Sequence, residues 1–487
     1  MPINQNLSFG SSDSVTFILY DRVHTVCFGS LSGLNPTTTV LQYLRTLPGH
    51  RGVKEGCAEG DCGACTVVVG ELIDNRRIKY RAVDSCLLFL PMLHGKQLIT
   101  VENLKGSNGE LHPVQQAMVD LHGSQCGYCT PGIVMSMFAL GKNIQHPRAE
   151  DARIALAGNL CRCTGYRPII DAAIKSSEEI SNDRFAVAQS HTVQMLKSIT
   201  RRSISVVTAS QRYDQPAKLK ECLVLIRKFP KAVIINGATD VALRVTKKFE
   251  SLPHIIDLSR VKSLANVRKS RSAITIGAGV KVDDVMKLVR KDFPALWEML
   301  SVFGAEQIRN VATLGGNVGT ASPIGDTLPV LIAYEAGIVL ESKRGKRTVK
   351  ADDFVTGYRK TERRPDELIT AIILPVPSKS AKIHSYKVSR RRDLDISTVS
   401  SGFMIDLDGR GVINDVVLAY GGMAERTKRA KSTEKFLKGR LWTLEVVEQA
   451  QQIVRKDFNP ISDVRGSAEF RMAAAKNLIM KFWIDTK

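Results

Sequence analysis

The 487-residue sequence contains no run of about eighteen consecutive apolar residues, the minimum for a membrane-crossing helix. Its opening, MPINQNLSFGSSDS, has no basic start leading into an apolar core, so no secretory leader or membrane partner is expected and the cytoplasm is the expected compartment. Aromatic residues are scarce, at 6%, and none is interleaved in basic runs such as Arg390 to Arg392. A single-stranded nucleic-acid site builds on that interleaving, so nucleic acid is not expected as a partner. No G-x-G-x-x-G follows a strand-like run, because GAGVKV from Gly277 lacks the third glycine. A Rossmann nucleotide site is therefore disfavoured. Internal repeats and low-complexity tracts are missing too. What remains is a globular chain several domains long, with 44% hydrophobic residues to fill its cores.

One sign of charge is in excess: 69 Lys+Arg face 48 Asp+Glu, a net +21. Residues 1–180 hold 16 of each, so the whole excess lies downstream, where it is scattered rather than clustered. A solvated surface accounts for it; attraction of an anionic dinucleotide or an acidic partner subunit is the other reading.

Eight of the ten cysteines fall into two groups. Cys57, Cys62 and Cys65, in GCAEGDCGACTV, have the C-x4-C-x2-C spacing of a plant-type [2Fe–2S] loop, and Cys86 is the candidate fourth thiolate. Gly56, Gly60 and Gly63 allow a tight backbone whose N–H groups face an anionic cluster. Zinc is the alternative, though it favours compact cysteine pairs over such a loop. The second group is Cys126 and Cys129 in QCGYCTPG with Cys161 and Cys163 in NLCRCTGYRP, each pair just ahead of a helix-opening proline, Pro131 or Pro168. Helix starts favour thiolate over thiol. Alone these pairs could hold zinc; beside the first loop they read as a second [2Fe–2S] site. Cys27 and Cys222 are expected to be buried core thiols.

Strands over VTFILY and HTVCFGSL, a helix over Thr39 to Leu47, the cysteine loop, and strands near Thr66–Val69 and Ile78–Val83 form a ferredoxin-like order. With GCAEGDCGACTV, QCGYCTPG and GNLCRCTGYRPI, the chain resembles the iron–sulfur module of the molybdenum hydroxylase family from residue 15 to about 180. The resemblance implies an α+β multidomain protein. A β-grasp ferredoxin-like domain would span 1–104 and a four-helix-bundle domain 105–180, each with a [2Fe–2S] cluster.

Residues 181–215 are polar and read as a linker with some local structure. Beyond it, KAVIINGATDVALRVTK gives a strand, a small-residue turn and a helical run, and NVATLGGNVGTASPIGD is expected to be irregular. Small residues and short hydroxyls suit a pyrophosphate, although a plain surface loop has the same composition. The two stretches resemble the same family's α+β, PCMH-type FAD-binding domain, placed at 216–378. A C-terminal α/β flavoprotein domain would follow at 379–487, with a hairpin at Asp408-Gly409 and helical text beyond Lys428. The resemblance implies that Val233, Ile234, Ile235, Asn236, Gly237, Ala238, Thr239 and Asp240 wrap the FAD pyrophosphate. It implies further that Phe303 flanks the flavin, that Thr313, Gly316 and Asn317 line a second loop, that Asp326 holds a sugar hydroxyl, and that Ile369 and Lys387 are later flavin contacts.

The expectation is an oxidoreductase subunit with two [2Fe–2S] clusters and FAD, from the xanthine-oxidising branch of that family. It would receive electrons from a molybdenum-cofactor-binding large subunit, pass them to NAD+, and assemble as a heterotetramer of two small and two large subunits. No catalytic residue for the hydroxylation itself is expected here. The other readings are a relative acting on an aldehyde or another N-heterocycle and, more remotely, a basic iron–sulfur protein that binds nucleic acid.

Overall fold

The computed structural model describes residues 13–29, 32–106, 108–199 and 202–487. Residues 1–12, read above for a leader, and Ser30 and Leu31 at the end of the second expected strand lie outside them. The chain folds as two compact units whose sequences interleave. The first comprises Met1–Cys222, Lys231–Val261 and Ala305–Ala312; the second comprises Leu223–Pro230, Lys262–Gly304 and Thr313–Lys487.

In the first unit, β1 (Ser14–Leu19), β2 (Arg22–Cys27), β3 (Thr66–Ile73), β4 (Arg77–Asp84) and β5 (Gln97–Ile99) form a mixed β-grasp sheet in the order β2-β1-β5-β3-β4. The central strands are buried on both faces, which explains the Val67-Val68-Val69 run. Val67 and Val69 pack with helix α1 (Val40–Thr46), while Val68 joins the core beneath. Thr39 caps α1, its hydroxyl accepting the Gln42 N–H. Cys27 is exposed rather than buried, because β2 is an edge strand with only Val26 of its length fully inside; Cys222 is buried.

Below the sheet lie α2 (Pro113–Asp120), α3 (Thr130–Asn143), α4 (Ala149–Leu156) and α5 (Arg167–Glu179), the four-helix domain. Nearly every side chain of α3 after its first turn is buried, and Phe138 packs edge-on against Tyr80 of β4. Truncating Phe138 to Ala would cost about 3–5 kcal/mol. The stretch read as a linker is largely ordered. It holds α6 (Arg184–Val187), α7 (Gln189–Ser198), β6 (Ile204–Val207) and β7 (Arg212–Gln215), with Phe185 buried against Phe138. Its polar composition hid a helix pair anchored by Phe185, Val193 and Leu196. The helix α8 (Leu219–Lys228) follows, counted with the second unit from Leu223 onward, and the first unit resumes with β8 (Val233–Ile235), α9 (Ala242–Thr246) and β9 (His254–Asp257), giving a sheet β6-β7-β9-β8.

The second unit holds an antiparallel sheet, β10 (Val267–Lys269), β11 (Ala273–Gly277), β16 (Leu368–Pro375), β12 (Gly337–Ser342) and β13 (Gly345–Lys350), in that spatial order. Helices α10 (Val282–Val289), α11 (Pro294–Ser301), α13 (Leu314–Thr320), α14 (Thr327–Ala333) and α15 (Ala351–Phe354) belong with it, as does the small pair β14 (Val355–Gly357) and β15 (Lys360–Thr361), whereas α12 (Glu306–Arg309) belongs to the first unit. A second antiparallel sheet, β17 (Ala381–Val388), β18 (Val399–Leu407), β19 (Ile413–Gly421) and β20 (Lys428–Arg429), includes the expected hairpin. It is covered by α16 (Lys431–Leu437), α17 (Leu444–Ile453) and α18 (Ala468–Thr486). Gly402 is required on β18, since a Cβ there would collide with the Pro329 carbonyl of α14.

Candidate metal centres and flavin loops

The strand pair β3–β4 builds the first thiol site. Because Thr66 is paired with Asp84, the end of the cysteine loop meets the turn that carries Cys86, and the Ser85 hydroxyl donates to the Cys65 carbonyl at 2.7 Å. The thiols then hydrogen-bond in two pairs, Cys57 with Cys62 and Cys65 with Cys86. Ala58, Gly60 and Gly63 all have positive φ, and the curl they impose points the Glu59 and Asp61 amides at the Cys57 sulfur, at 3.4 and 3.2 Å. The hydrogen bond from Cys62, with those amides, outweighs burial and brings the Cys57 thiol down to about 5. Donating that bond, together with burial, pushes Cys62 up. One thiolate is thus held ready in this pair. Sequence reasoning missed Asp84, whose carboxylate lies 3.7 Å from the Cys65 sulfur; burial, then the Cys57 charge, push it up to about 7.

The second site stands at two helix starts. Cys126 and Cys129 precede α3, with Pro131 in its first turn, and Cys161 and Cys163 precede α5, with Pro168 in its first turn. The sulfurs pair crosswise: Cys163 lies 3.5 Å from Cys126, and Cys129 hydrogen-bonds Cys161. Tyr166, at φ 67°, folds the turn back so that its hydroxyl accepts the Cys161 N–H at 2.7 Å. Burial and the bond to Cys161 push Cys129 up to about 12. The Tyr128 amide and the Cys163 thiol hold Cys126 down.

The eight sulfurs therefore stand in four pairs, and among the described residues no group of three or more His, Cys, Asp or Glu is set round a single point. A [2Fe–2S] rhomb takes two thiolates on each iron, so two pairs per site fit it.

The first flavin stretch lies in the first unit; the second begins there with Asn310 to Ala312 and continues in the second unit from Thr313. In the first, β8 runs into Asn236 and then Gly237 and Ala238, at φ 100° and 64°. A Cβ on Gly237 would collide with the Val311 carbonyl, and the Ala242 N–H closes the turn on the Ala238 carbonyl at 2.8 Å. Thr239 and Asp240 complete it, half-buried. In the second unit, the stretch expected to be irregular holds helix α13. Thr313 caps it, accepting the Gly316 N–H at 3.1 Å. Gly-Gly-Asn is a poor helix former, but Gly315 packs so tightly on Ala278 that tertiary contact overrides propensity. Asn317 accepts from the Thr327 hydroxyl. Ile369 of β16 touches α13 beside Gly319.

Asp326 is buried, with one oxygen taken by the Ser397 hydroxyl and the other by Lys387 Nζ at 3.0 Å. Lys387 also donates to the carbonyl of Val302, next to Phe303, at 2.8 Å. Ser397 was not singled out from sequence, where it is one serine among many. Lys387 and Asp326 thus form a buried ion pair whose geometry depends on Ser397.

Four domain families match the chain in order. Residues 32–88 match the 2Fe-2S iron-sulfur cluster binding domain, and 100–174 the [2Fe-2S] binding domain. Residues 208–377 match the FAD binding domain in molybdopterin dehydrogenase, and 384–486 the CO dehydrogenase flavoprotein C-terminal domain. The chain is an iron–sulfur and FAD electron-transfer region of the molybdenum hydroxylase family, and its cofactors are two [2Fe–2S] clusters and FAD. Within that family it is homologous to xanthine dehydrogenase. It is 32% identical to xanthine dehydrogenase/oxidase of Gallus gallus over 93% of this chain and 39% of that protein. To xanthine dehydrogenase of Oryza sativa subsp. japonica it is 31% identical, over 92% and 38%. The chain thus spans well under half of these relatives. Among solved structures, a carbon monoxide dehydrogenase chain from Hydrogenophaga pseudoflava aligns with TM-score 0.53 and 26% identity, over 55% of this chain and 94% of that one. Among the described residues no helix is long and apolar enough to cross a membrane.

Proposed function

We propose that this chain is the electron-transfer part of a xanthine-oxidising molybdenum hydroxylase, taking electrons from a molybdenum-cofactor subunit and delivering them to NAD+. The observation that carries the reading is a match to xanthine dehydrogenases over 93% of the chain, iron–sulfur and flavin parts together. When bound, the clusters exchange single electrons and FAD one or two, which reconciles one-electron carriers with a hydride acceptor.

The residues bind and orient. Cys57 with Cys62 and Cys65 with Cys86 hold one cluster; Cys126 with Cys163 and Cys129 with Cys161 hold the other. The turn from Val233 to Asp240 offers backbone N–H groups to the pyrophosphate. Thr313, Gly316 and Asn317 present a capped helix start, Phe303 and Ile369 give apolar contact, and Asp326, fixed by Lys387 and Ser397, accepts from a sugar hydroxyl. The domains divide at residues 104, 180, 215 and 378. The molybdenum portion lies on a partner subunit in a two-plus-two assembly. Eight paired thiols suit a reducing compartment, the cytoplasm.

The test is to copurify the chain with its molybdenum partner and assay xanthine with NAD+. NADH formation with four irons and one FAD per chain is the expected result. Turnover of an aldehyde but not xanthine would overturn the substrate assignment, and an Asp326→Ala chain that kept its FAD would remove Asp326 from the site.

A further inference from the structure

Between the two thiol sites lies a buried polar knot. Asn159, two residues before Cys161, donates through Nδ2 to the carbonyl of Gly63, between Cys62 and Cys65, at 3.0 Å, and to the Thr66 hydroxyl at 3.2 Å. Its Oδ1 accepts from Ser136 of α3 at 2.7 Å and from Gln307 of α12 at 2.9 Å; Gln307 also donates to Ser136 at 3.1 Å. All three side chains are 1–2% exposed. Next to the knot, the Leu160 N–H donates to the Cys62 carbonyl at 3.0 Å, so one hydrogen bond and one peptide unit separate a residue of the first site from Cys161 of the second.

Three glycines clear the space. A Cβ on Gly132 would strike the Gly63 carbonyl, one on Gly63 would strike the Gly158 carbonyl, and one on Gly158 would strike Gln307. The cysteine loop, the start of α3 and the turn before Cys161 therefore touch through their backbones. Gln307 comes from outside the iron–sulfur domains. It belongs to the stretch matched by the FAD-binding domain, yet residues 305–312 fold with the first unit. The same stretch is fixed there a second time by Asn310, which accepts from Arg81 at 3.3 Å and donates to the Ala82 carbonyl at 3.0 Å.

We propose that Gln307 is a positioning residue for electron exchange between the two clusters: the FAD-binding domain lends it to clamp Asn159 and hold the Cys62–Leu160 contact closed. A buried amide that both accepts and donates is set by all its partners at once, so losing one donor loosens the rest. Outer partners of this kind fix the orientation of metal ligands. The proposal rests on the assignment of the eight cysteines as cluster ligands.

The test uses the full chain with its clusters, prepared anaerobically. Gln307→Met keeps length and apolar stem and removes the donor; Asn159→Asp keeps shape and removes the donor to Gly63. In the fully reduced protein at low temperature, each cluster's spin splits the electron paramagnetic resonance of the other. That splitting narrows in Gln307→Met and more in Asn159→Asp, while iron, acid-labile sulfide and the separate signals at higher temperature stay as in the wild type. Ser136→Ala, which removes one of the two donors to the Asn159 oxygen, gives a smaller change of the same sign. Unchanged splitting in both main variants overturns the proposal. So does loss of iron from either, which would make the knot a brace for folding alone. A wild-type protein with fewer than two cluster signals would instead overturn the ligand assignment beneath it.

Discussion

Around Cys57, Cys62, Cys65 and Cys86 the chain supplies glycine-loop amides and a sheet that buries two of the four residues. Around Cys126, Cys129, Cys161 and Cys163 it supplies two helix starts and leaves Cys126 and Cys163 exposed. Both reach two sulfur pairs, but by different routes. In the first, the pairing follows strand register, since Thr66 opposite Asp84 brings Cys86 to Cys65. In the second, it follows from two turns meeting, and Cys126 pairs across 37 positions with Cys163. Hydrogen bonding and exposure at sulfur tune reduction potential. One fold thus carries two carriers of the same composition in unlike surroundings, one with no exposed cysteine and one with two.

The largest effect that tests this contrast is loss of a site. Cys62→Ser removes or distorts one of two electron paramagnetic resonance signals and Cys126→Ser the other; a single signal abolished by both would end the division into two sites. Next comes the order of attack. A water-soluble iron chelator applied to the oxidised protein strips the exposed site first, followed as sequential loss of the two signals, and simultaneous loss would mean that burial does not separate them. A glycine pair sharpens the contrast further. Gly63 and Gly165 have nearly equal φ, 68° and 67°, but a Cβ meets backbone at the first and nothing within 4 Å at the second. Gly63→Ala should cost about 2–5 kcal/mol, from overpacking plus the left-handed backbone, and Gly165→Ala about 1 kcal/mol, from the backbone alone. Equal midpoints in urea would contradict it. The smallest effect is that of Tyr128, beside Cys129, whose hydroxyl donates to the Glu55 carbonyl near the first site. Tyr128→Phe should cost about 1 kcal/mol or less, and a larger loss would mean the two sites stand together through that bond.

The cysteine groups were legible because spacing and flanking glycines or prolines are local, and the strand pairs around them alternate plainly. Their partners were not. Asn159, Gln307, Ser397 and Asp84 look ordinary in sequence, and each acquires its role from a residue at least 19 positions away. Gly63, Gly132 and Gly158 make the close approach possible, but a glycine does not say what approaches it. Helix α13 escaped for the opposite reason, since its residues disfavour helix and Ala278 imposes it. The polar stretch after residue 181 hid Phe185, whose burial shows only beside Phe138.

The interleaving of the two units bears on how the protein is made. The chain crosses between them five times, and the last piece of the first unit is Ala305–Ala312. Synthesis runs from the N-terminus and domains generally fold as they emerge. Here all eight paired cysteines leave the ribosome well before the segment that fastens their loops, because Gln307 and Asn310 come some 140 residues after Cys163. There is thus an interval in which the cysteine loops exist without their lock. Translation of the flavin-binding portion itself supplies that lock, through Gln307 and Asn310.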